Sequence, residues 1–473
     1  MSIPKKKEQE QESIKKKAFF YSFGQISDLV SYQTFTFLTF TFYFTIVKIN
    51  VVLISIGFIL WSIWNSLNDP LLGYLSDKTH TKWGRRIPFI MISFVPLSII
   101  MFLLFLPPIS FGIQNELTNF TYFIIIIVVF EFFYTMFSLN LTSLFPETFI
   151  SVKERTIANN IRQTFAIVAL IVAFVLPTLF IPDLSNAKYL LEYQFFGITI
   201  AIIIAVAGAI FLKYGPRERK EFKDNYKSAP NFIDSIKFCL KSESFRWYIP
   251  AEIANWFVYG MLPTIIPLYG KFVLGIGEGE SILLALLLGV AFISAALFIN
   301  ILWRPMVQRI GPRKSWLISM SIWIATLVPL MFISDIITGF IVFFLIGIGL
   351  SGSLYIIDII VSDIIDEDEI VTGTRREAGY YGVNALFLRL STVFVFLAIS
   401  LVFNNVGWTI FEPEKITPAI QFGLRALIFI FPTIALTIAL VAIYKYPLDQ
   451  ERLEEVKMKI KKIHKEKREK IEI

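Results

Sequence analysis

The chain has 473 residues, of which 55% are hydrophobic and only 17% charged, with 48 phenylalanines and a mean hydropathy of +0.66. That composition excludes a soluble domain, and the single cysteine, Cys239, excludes a disulfide framework and a cysteine-built metal site. The formal net charge of +7 lies mostly in short polar segments between apolar runs, where a positive-inside bias and anionic lipid account for it, so it does not call for nucleic acid.

Residues 1–17 form a charged tail with six lysines. The apolar run after it is too long and too studded with polar residues for a cleavable signal peptide, so the first helix is expected to stay. From residue 18 onward, apolar stretches of about 20 residues recur, each long enough to cross a hydrocarbon core of ~30 Å as a helix. Twelve are expected, centred near Phe37, Leu60, Ile99, Phe130, Ile171, Ile203, Tyr259, Ala291, Ile322, Phe344, Phe394 and Phe431. With the N-terminal tail inside, 38 of the 44 Lys and Arg fall on the same side, so both termini are expected to be cytoplasmic. The histidines, His80 and His464, then lie in cytoplasmic segments, which leaves proton handling inside the membrane to carboxylates.

The most informative segment runs from Asn68 to Arg86. It places Asp69 inside an apolar helix, where an ionised carboxylate costs about 2.5–3.5 kcal/mol on insertion scales, and then closes with the cationic turn Trp83-Gly84-Arg85-Arg86. A shorter echo follows the eighth helix, with Pro305 in the place of Pro70 and Gly311 to Lys314 in the place of Gly84 to Arg86. The longest interior polar segment divides six helices from six. The expected organisation is an all-α integral membrane protein: tail 1–17, first bundle 18–214, central cytoplasmic loop 215–244, second bundle 245–445, and charged tail 446–473. Such repeats are typical of transporters that bind substrate near the bilayer midplane.

Three segments carry a resemblance: Asn68-Asp69-Pro70 through Gly73, Asp77 and Trp83-Gly84-Arg85-Arg86 to Pro88; Pro146-Glu147 through Glu154-Arg155 to Arg162; and Asp363 through Asp366, Glu369, Thr372-Gly373 and Arg375-Arg376-Glu377. In order and spacing they resemble the glycoside/pentoside/hexuronide:cation symporters of the major facilitator superfamily, the melibiose permease-like family, over roughly residues 18–445. The resemblance implies the major facilitator fold and secondary active transport by alternating access. It implies no resident cofactor, only co-transported H+ or Na+.

It also implies roles for residues. Asp69 matches a cation-binding carboxylate and Thr135 a neutral ligand beside it, while Asn65 stands where the family often has a second aspartate. Asn65 and Asp69 are four apart and share a face of their helix. These three are the cation-coupling candidates, and the metal ligands if the ion is sodium. With Asp69 as a single carboxylate, burial favours the neutral, protonated acid, so a proton is preferred over sodium. The substrate-binding candidates are Asp28, Tyr134, Ser138, Arg162, Asn384 and Arg389, with Asp28 matching an acid that accepts sugar hydroxyls and Arg162 an arginine near the sugar. Ser138, Thr142 and Asn384 depart from the family at positions for a sugar-binding aspartate, a stacking tryptophan and a glutamine. Asp77, Arg85, Arg86, Arg375 and Arg376, on short loops, are candidate gates.

Glu131, Glu252 and Asp358 are further acids within apolar helices with no assigned role, and Trp61, Trp64 and Trp256 are possible stacking surfaces. The tails are expected to be solvated or to lie on the anionic leaflet. No nucleophile, histidine pair or metal cluster supports a membrane enzyme. The expected function is cation-coupled symport of a glycoside, sugar or related polar organic solute, by a monomer in contact with membrane lipid. The alternative is symport of a lysolipid or other amphiphile; retention of Asp69, Arg162 and Arg389 argues against a transport-dead sensor.

Overall fold

The computed structural model describes residues 3–79, 81–149, 151–217, 232–373 and 376–469. Among these, regular structure is helical throughout apart from one isolated bridge between Thr81 and Gly84. The helices are α1 (Ile3–Thr41), α2 (Val51–Lys78), α3 (Ile87–Leu103), α4 (Glu116–Thr148), α5 (Val152–Phe180), α6 (Leu190–Tyr214), α7 (Phe232–Lys241) and α8 (Glu243–Phe272). They continue with α9 (Ile282–Phe298), α10 (Arg304–Ile310), α11 (Pro312–Leu327), α12 (Ile336–Thr372), α13 (Glu377–Val406), α14 (Pro418–Arg425), α15 (Phe431–Lys445) and α16 (Gln450–Glu469).

Every one of the twelve centres read from hydropathy falls inside a helix. Among the described residues, nine helical stretches are long and apolar enough to cross a membrane, and α3 is an apolar helix of 17 residues. α1 and α8 fall short of that apolarity. The first carries Gln25, Asp28, Ser31 and Gln33 in its middle turns, and the second carries Glu252, Asn255 and three prolines. Large apolar side chains lie open on helix flanks, among them Ile167, Ile202, Ile293, Ile301, Ile337 and Ile341. Apolar surface on that scale is matched to lipid rather than to water.

The chain forms two compact units. The first comprises 1–228 together with two short pieces from later in the chain, Gly277–Ala285 and Thr409–Glu412. The membership of those pieces is specific. Val51 N donates to Thr409 O (2.9 Å), and Gly279 N and Ser281 Oγ both donate to Pro182 O (3.0 and 2.6 Å). Within this unit α1 packs on α5 and α6, α2 on α4, and α3 on α4 and α6. A run of stacked rings lines α1 and α4: Tyr32 on Tyr134, Tyr134 on Phe130, and Phe130 on Phe35 with centroids 4.2 Å apart.

The second unit comprises 229–276, 286–408 and 413–473. Here α8 packs on α13 and α15, and α11 on α12 and α15. α11 and α12 touch closely because α12 offers small residues: a Cβ built on Gly349 would lie 2.5 Å from the Trp323 Cα, so no larger residue fits. The C-terminal segment corrects an expectation. Residues 450–469 are neither loose nor given over to solvent; α16 docks on α12 by burying Leu453, Val456 and Ile460, and it adds ion pairs Arg452–Glu367 (2.8 Å) and Lys457–Asp363 (3.6 Å). His464 Nε2 lies 3.1 Å from Glu369 Oε2, a carboxylate that is 1% exposed. The charges read from the sequence as a solvated run instead alternate with an apolar stripe that finds a partner.

Candidate functional site

α2 begins at Asn50, whose side chain accepts from Val52 N (2.9 Å), and its sixth turn carries Asp69 followed by Pro70. Proline has no N–H, so the carbonyl of Ser66 one turn earlier loses its usual donor beside the acid. Opposite, α4 presents Thr135, whose Oγ1 lies 3.0 Å from Asp69 Oδ1. The same hydroxyl oxygen lies 3.1 Å from Glu131 Oε1, one turn earlier on α4. The expectation of a single carboxylate therefore does not describe this geometry: two acids from two helices meet at one hydroxyl. Asn68 ties the helices together as Nδ2 donates to Glu131 O (3.2 Å).

The remaining donors of this cluster are oxygens, the ligand type that a hard monovalent cation takes. Asn65, 0% exposed and one turn before Asp69, has neither its amide oxygen nor its nitrogen in a hydrogen bond, and the Asn68 amide oxygen is likewise buried without one. Buried amide oxygens without donors are costly, and a cation is one way to satisfy them. Asp69, Glu131, Thr135, Asn65 and Asn68 would supply oxygens only. Of these, Glu131 and Asn68 were not among the residues singled out as coupling ligands. The i, i+4 spacing of Glu131 and Thr135 on one helix face is a signal that could have pointed there, once the face toward α2 is known.

Asp28 lies in the middle of α1, 6% exposed. Gln25 Nε2 donates to its Oδ2 (3.1 Å). The Tyr134 and Ser138 hydroxyls of α4 and the Arg162 guanidinium of α5 lie within electrostatic reach, but its Oδ1 has no hydrogen-bond partner. Arg162 itself donates through Nη2 to Asn159 Oδ1 (3.0 Å) and rests over the Phe145 ring, 4.7 Å from the centroid. Four of the six substrate candidates thus gather on three helices of the first unit. The acid keeps an acceptor oxygen without a partner, which a hydroxyl donor would satisfy.

In the second unit, Asn384 and Arg389 sit on α13, Asn384 buried and Arg389 half-buried. Asn384 Nδ2 donates to Glu252 Oε1 (3.3 Å) and Trp256 Nε1 donates to the same oxygen (3.1 Å), while Glu252 Oε2 is buried without a partner. Glu252 is thereby placed with a substrate candidate, and Trp256 is held edge-on to Tyr259.

Of the gate candidates, the Asp77 side chain and Arg375 lie outside the described residues, as does His80. Arg85 and Arg86 converge on Glu147 Oε1 at the end of α4 (2.6 and 2.9 Å). They are aimed there by the turn at Gly84, whose φ of +104° suits glycine. Arg376 grips Asp368 at the end of α12 with two nitrogens and covers the Phe238 ring of α7 at 3.8 Å. Cys239, on the same helix α7, is buried, and its thiol is pushed up to about 12, first by burial and then by Asp368. Glu147 lies in the same unit as Arg85 and Arg86, and Asp368 and Phe238 in the same unit as Arg376. Among the described residues, no group of three or more His, Cys, Asp or Glu is arranged to hold a metal.

The family described as MFS/sugar transport protein matches residues 20–450. An uncharacterized symporter of Synechocystis sp. is 21% identical, covering 84% of this chain and 87% of its own. The sodium-dependent lysophosphatidylcholine symporter 1 of Gallus gallus is 21% identical over 85% of this chain and 81% of its own, and the isoprimeverose transporter of Lactiplantibacillus pentosus 21% over 76% and 74%. Among solved structures, the nucleoside transporter NupG shares the fold with a TM-score of 0.66 at 15% identity, covering 92% of this chain and all of that one. A match across nearly the whole chain, together with symporter relatives and membrane-transporter folds, excludes an enzyme. The chain is a multi-pass membrane transporter that belongs to the MFS/sugar transport protein family, among its glycoside:cation symporters.

Proposed function

We propose that the protein couples the downhill entry of one cation, held at Asp69, to uptake of a sugar, glycoside or related polar organic solute gripped by Asp28 and Arg162. Twelve helices cross the membrane with both termini cytoplasmic, and the protein works as a monomer by alternating access. The observation that carries the reading is the polar centre of the first unit. The Asp28 carboxylate with an open oxygen beside Tyr134, Ser138 and Arg162 suits hydroxyl-rich solutes, and the Asp69–Thr135 contact on the neighbouring helix pair suits an ion. The family name and the isoprimeverose transporter support a sugar; the lysophosphatidylcholine symporter is described as sodium-dependent and keeps that ion in view. One elementary charge crossing 100 mV supplies about 2.3 kcal/mol, enough for roughly 50-fold accumulation. In the second unit, Asn384 and Arg389 are the substrate candidates, and Arg85, Arg86 and Arg376 would position the turns that move.

Purified protein in vesicles, given radiolabelled glycosides or a labelled lysolipid under sodium or pH gradients, tests the reading. Uphill uptake of a glycoside is expected in the parent, with glycoside binding lost in Asp28→Asn and ion binding retained. Uptake of lysolipid alone, or undiminished glycoside binding by Asp28→Asn, would overturn the substrate assignment.

A further inference from the structure

We infer that the apolar groove between α8, α13 and α15 holds an acyl chain of an anionic phospholipid, whose phosphate lies against Arg246 and Lys445 at the end of the groove. This lipid site belongs to the second unit and uses none of the residues assigned to substrate or ion.

Helix register separates the groove from the polar chemistry of the same unit. Pro250 and Ala254 share one face of α8, while Glu252, two residues from each and bonded to Asn384 and Trp256, takes the opposite face. On the first face lies a groove of about 470 Å³, within the ~300–1,000 Å³ of sites that hold small molecules. All twelve residues around it are apolar. Ala254 and Ala398 are small and buried, which gives the groove its depth, and Phe394, Ile434 and Ile438 stand about half exposed along it. A polar solute finds no donor or acceptor there. A hydrocarbon chain needs none.

The second observation is charge at one end. Arg246 and Trp247 come one turn before Pro250 on α8, and Lys445 comes two turns after Ile438 on α15, so each helix carries its groove face onto a cation. Lys445 Nζ lies 5.1 Å from the centre of the Trp247 ring, which brings the two helix ends together, and both Arg246 and Lys445 are exposed. Arg313 donates to the carbonyls of Ile443 and Tyr444, so the end of α15 has its donors without Lys445. An indole, an ammonium and a guanidinium at the end of an apolar slot match the ester region and phosphate of a lipid whose chain runs down the slot.

The same charges argue against a second copy of this chain. Two copies inserted in one direction and related by a two-fold axis along the membrane normal would set Arg246 and Lys445 against themselves, cation to cation at one depth. An anionic headgroup complements that end instead.

The test uses the purified full chain in neutral detergent, titrated with phosphatidylglycerol or with phosphatidylcholine of the same acyl chains, and counts bound lipid by native mass spectrometry. One phosphatidylglycerol is expected to be retained in preference to phosphatidylcholine. Each cation near a lipid surface changes affinity about fivefold, so Arg246→Gln together with Lys445→Gln should weaken phosphatidylglycerol about 30-fold. Ala398→Phe should fill the groove and lose both lipids with the cations in place; Ile434→Trp narrows it from an exposed side and serves if the first variant does not fold. Equal retention of the two lipids by the parent would overturn the headgroup contact. Full retention by the groove variants, or displacement of phosphatidylglycerol by glycerol phosphate alone, would overturn the placement of the chain. A parent that dimerises, with the dimer lost in Ile434→Trp, would give the groove to a second copy.

Discussion

The two units share a helical plan but not a polar chemistry. In the first, Asp69 and Glu131 face one hydroxyl and buried amide oxygens stand unused, so the centre has acceptors in excess. In the second, Glu252 Oε1 already receives two donors, from Trp256 and Asn384; Glu252 Oε2 and the Asn384 amide oxygen are buried without partners there too, but among the described residues no second carboxylate shares the contact. Two acids at one hydroxyl suit a shared positive charge, whereas a single acid served by neutral donors is suited to orienting a ligand. The echo between the turns before α3 and α11 shows the same division. Gly84 and Gly311 both take positive φ, yet Arg85 and Arg86 meet an acid of α4 while Arg313 donates to the main-chain carbonyl of Ile443. Repetition preserved the backbone, and the side chains diverged.

The largest effect should come from exchanging acids for amides in the two centres. Asp69→Asn is expected to abolish uphill accumulation, reducing a roughly 50-fold gradient to equilibration, while facilitated exchange persists. Glu252→Gln should keep coupling and change substrate affinity, because the amide nitrogen it introduces faces the donors on Trp256 and Asn384. Accumulation ratio and exchange rate, measured in the same vesicles, separate the two. Loss of coupling in Glu252→Gln would dissolve the contrast.

Much of this arrangement was legible before any coordinates. Hydropathy gave the helices because a bilayer admits few alternatives to them, and the segment around Asp69 is local in sequence, so its acid, proline and cationic turn could be read together. The meeting of Asp69 with Thr135 followed from resemblance. What escaped is what depends on helix rotation. Glu131 looks like any acid in an apolar run until α4 is turned so that it and Thr135 share a face toward α2. The docking of α16 was hidden for a related reason: its Leu453, Val456 and Ile460 stripe is short, and only the partner on α12 distinguishes it from a solvated charged helix. The two pieces, Gly277–Ala285 and Thr409–Glu412, that join the first unit were invisible because their contacts are main-chain and long-range.

A second contrast concerns the turns entering α5 and α13. Entry to α13 at Arg376 has no side-chain cap and is held instead by the Arg376–Asp368 pair and the Phe238 ring. Arg376→Ala removes charge-assisted hydrogen bonds and is expected to cost about 1.5–3 kcal/mol locally. Maleimide labelling of Cys239 reports it. Loss of a nearby cation by itself makes the thiol harder to ionise, which slows labelling, so faster labelling in the variant can only come from opening of α7. Unchanged or slower labelling would show that α7 stays docked without Arg376.

The C-terminal helix gives a smaller effect. Arg452 and Lys457 are half-exposed, so their ion pairs contribute on the order of 0–1 kcal/mol each, and the buried Val456 matters more. Val456→Asp should release α16 and speed tryptic cleavage within 450–469, whereas Lys457→Gln should barely change it. Equal protection in both would mean that the apolar stripe is not what holds the helix.

The smallest expected effect lies at the entry to α5, where the turn is held by the chain itself. Ser151 accepts from Glu154 N (3.1 Å) and Glu154 Oε2 receives Ser151 N (3.3 Å), a reciprocal cap that satisfies two main-chain donors without help from another helix. Ser151→Ala removes half of it and is expected to cost about 1 kcal/mol. Because α5 carries Arg162 three turns further on and packs along α1, the loss should fray the first turn without displacing the arginine. Thermal melting is therefore expected to fall slightly while glycoside binding is unchanged. A fall in binding as large as that of an Arg162→Ala variant would mean that the entry of α5 positions the substrate arginine, and that the first unit's polar centre is tuned from the start of that helix.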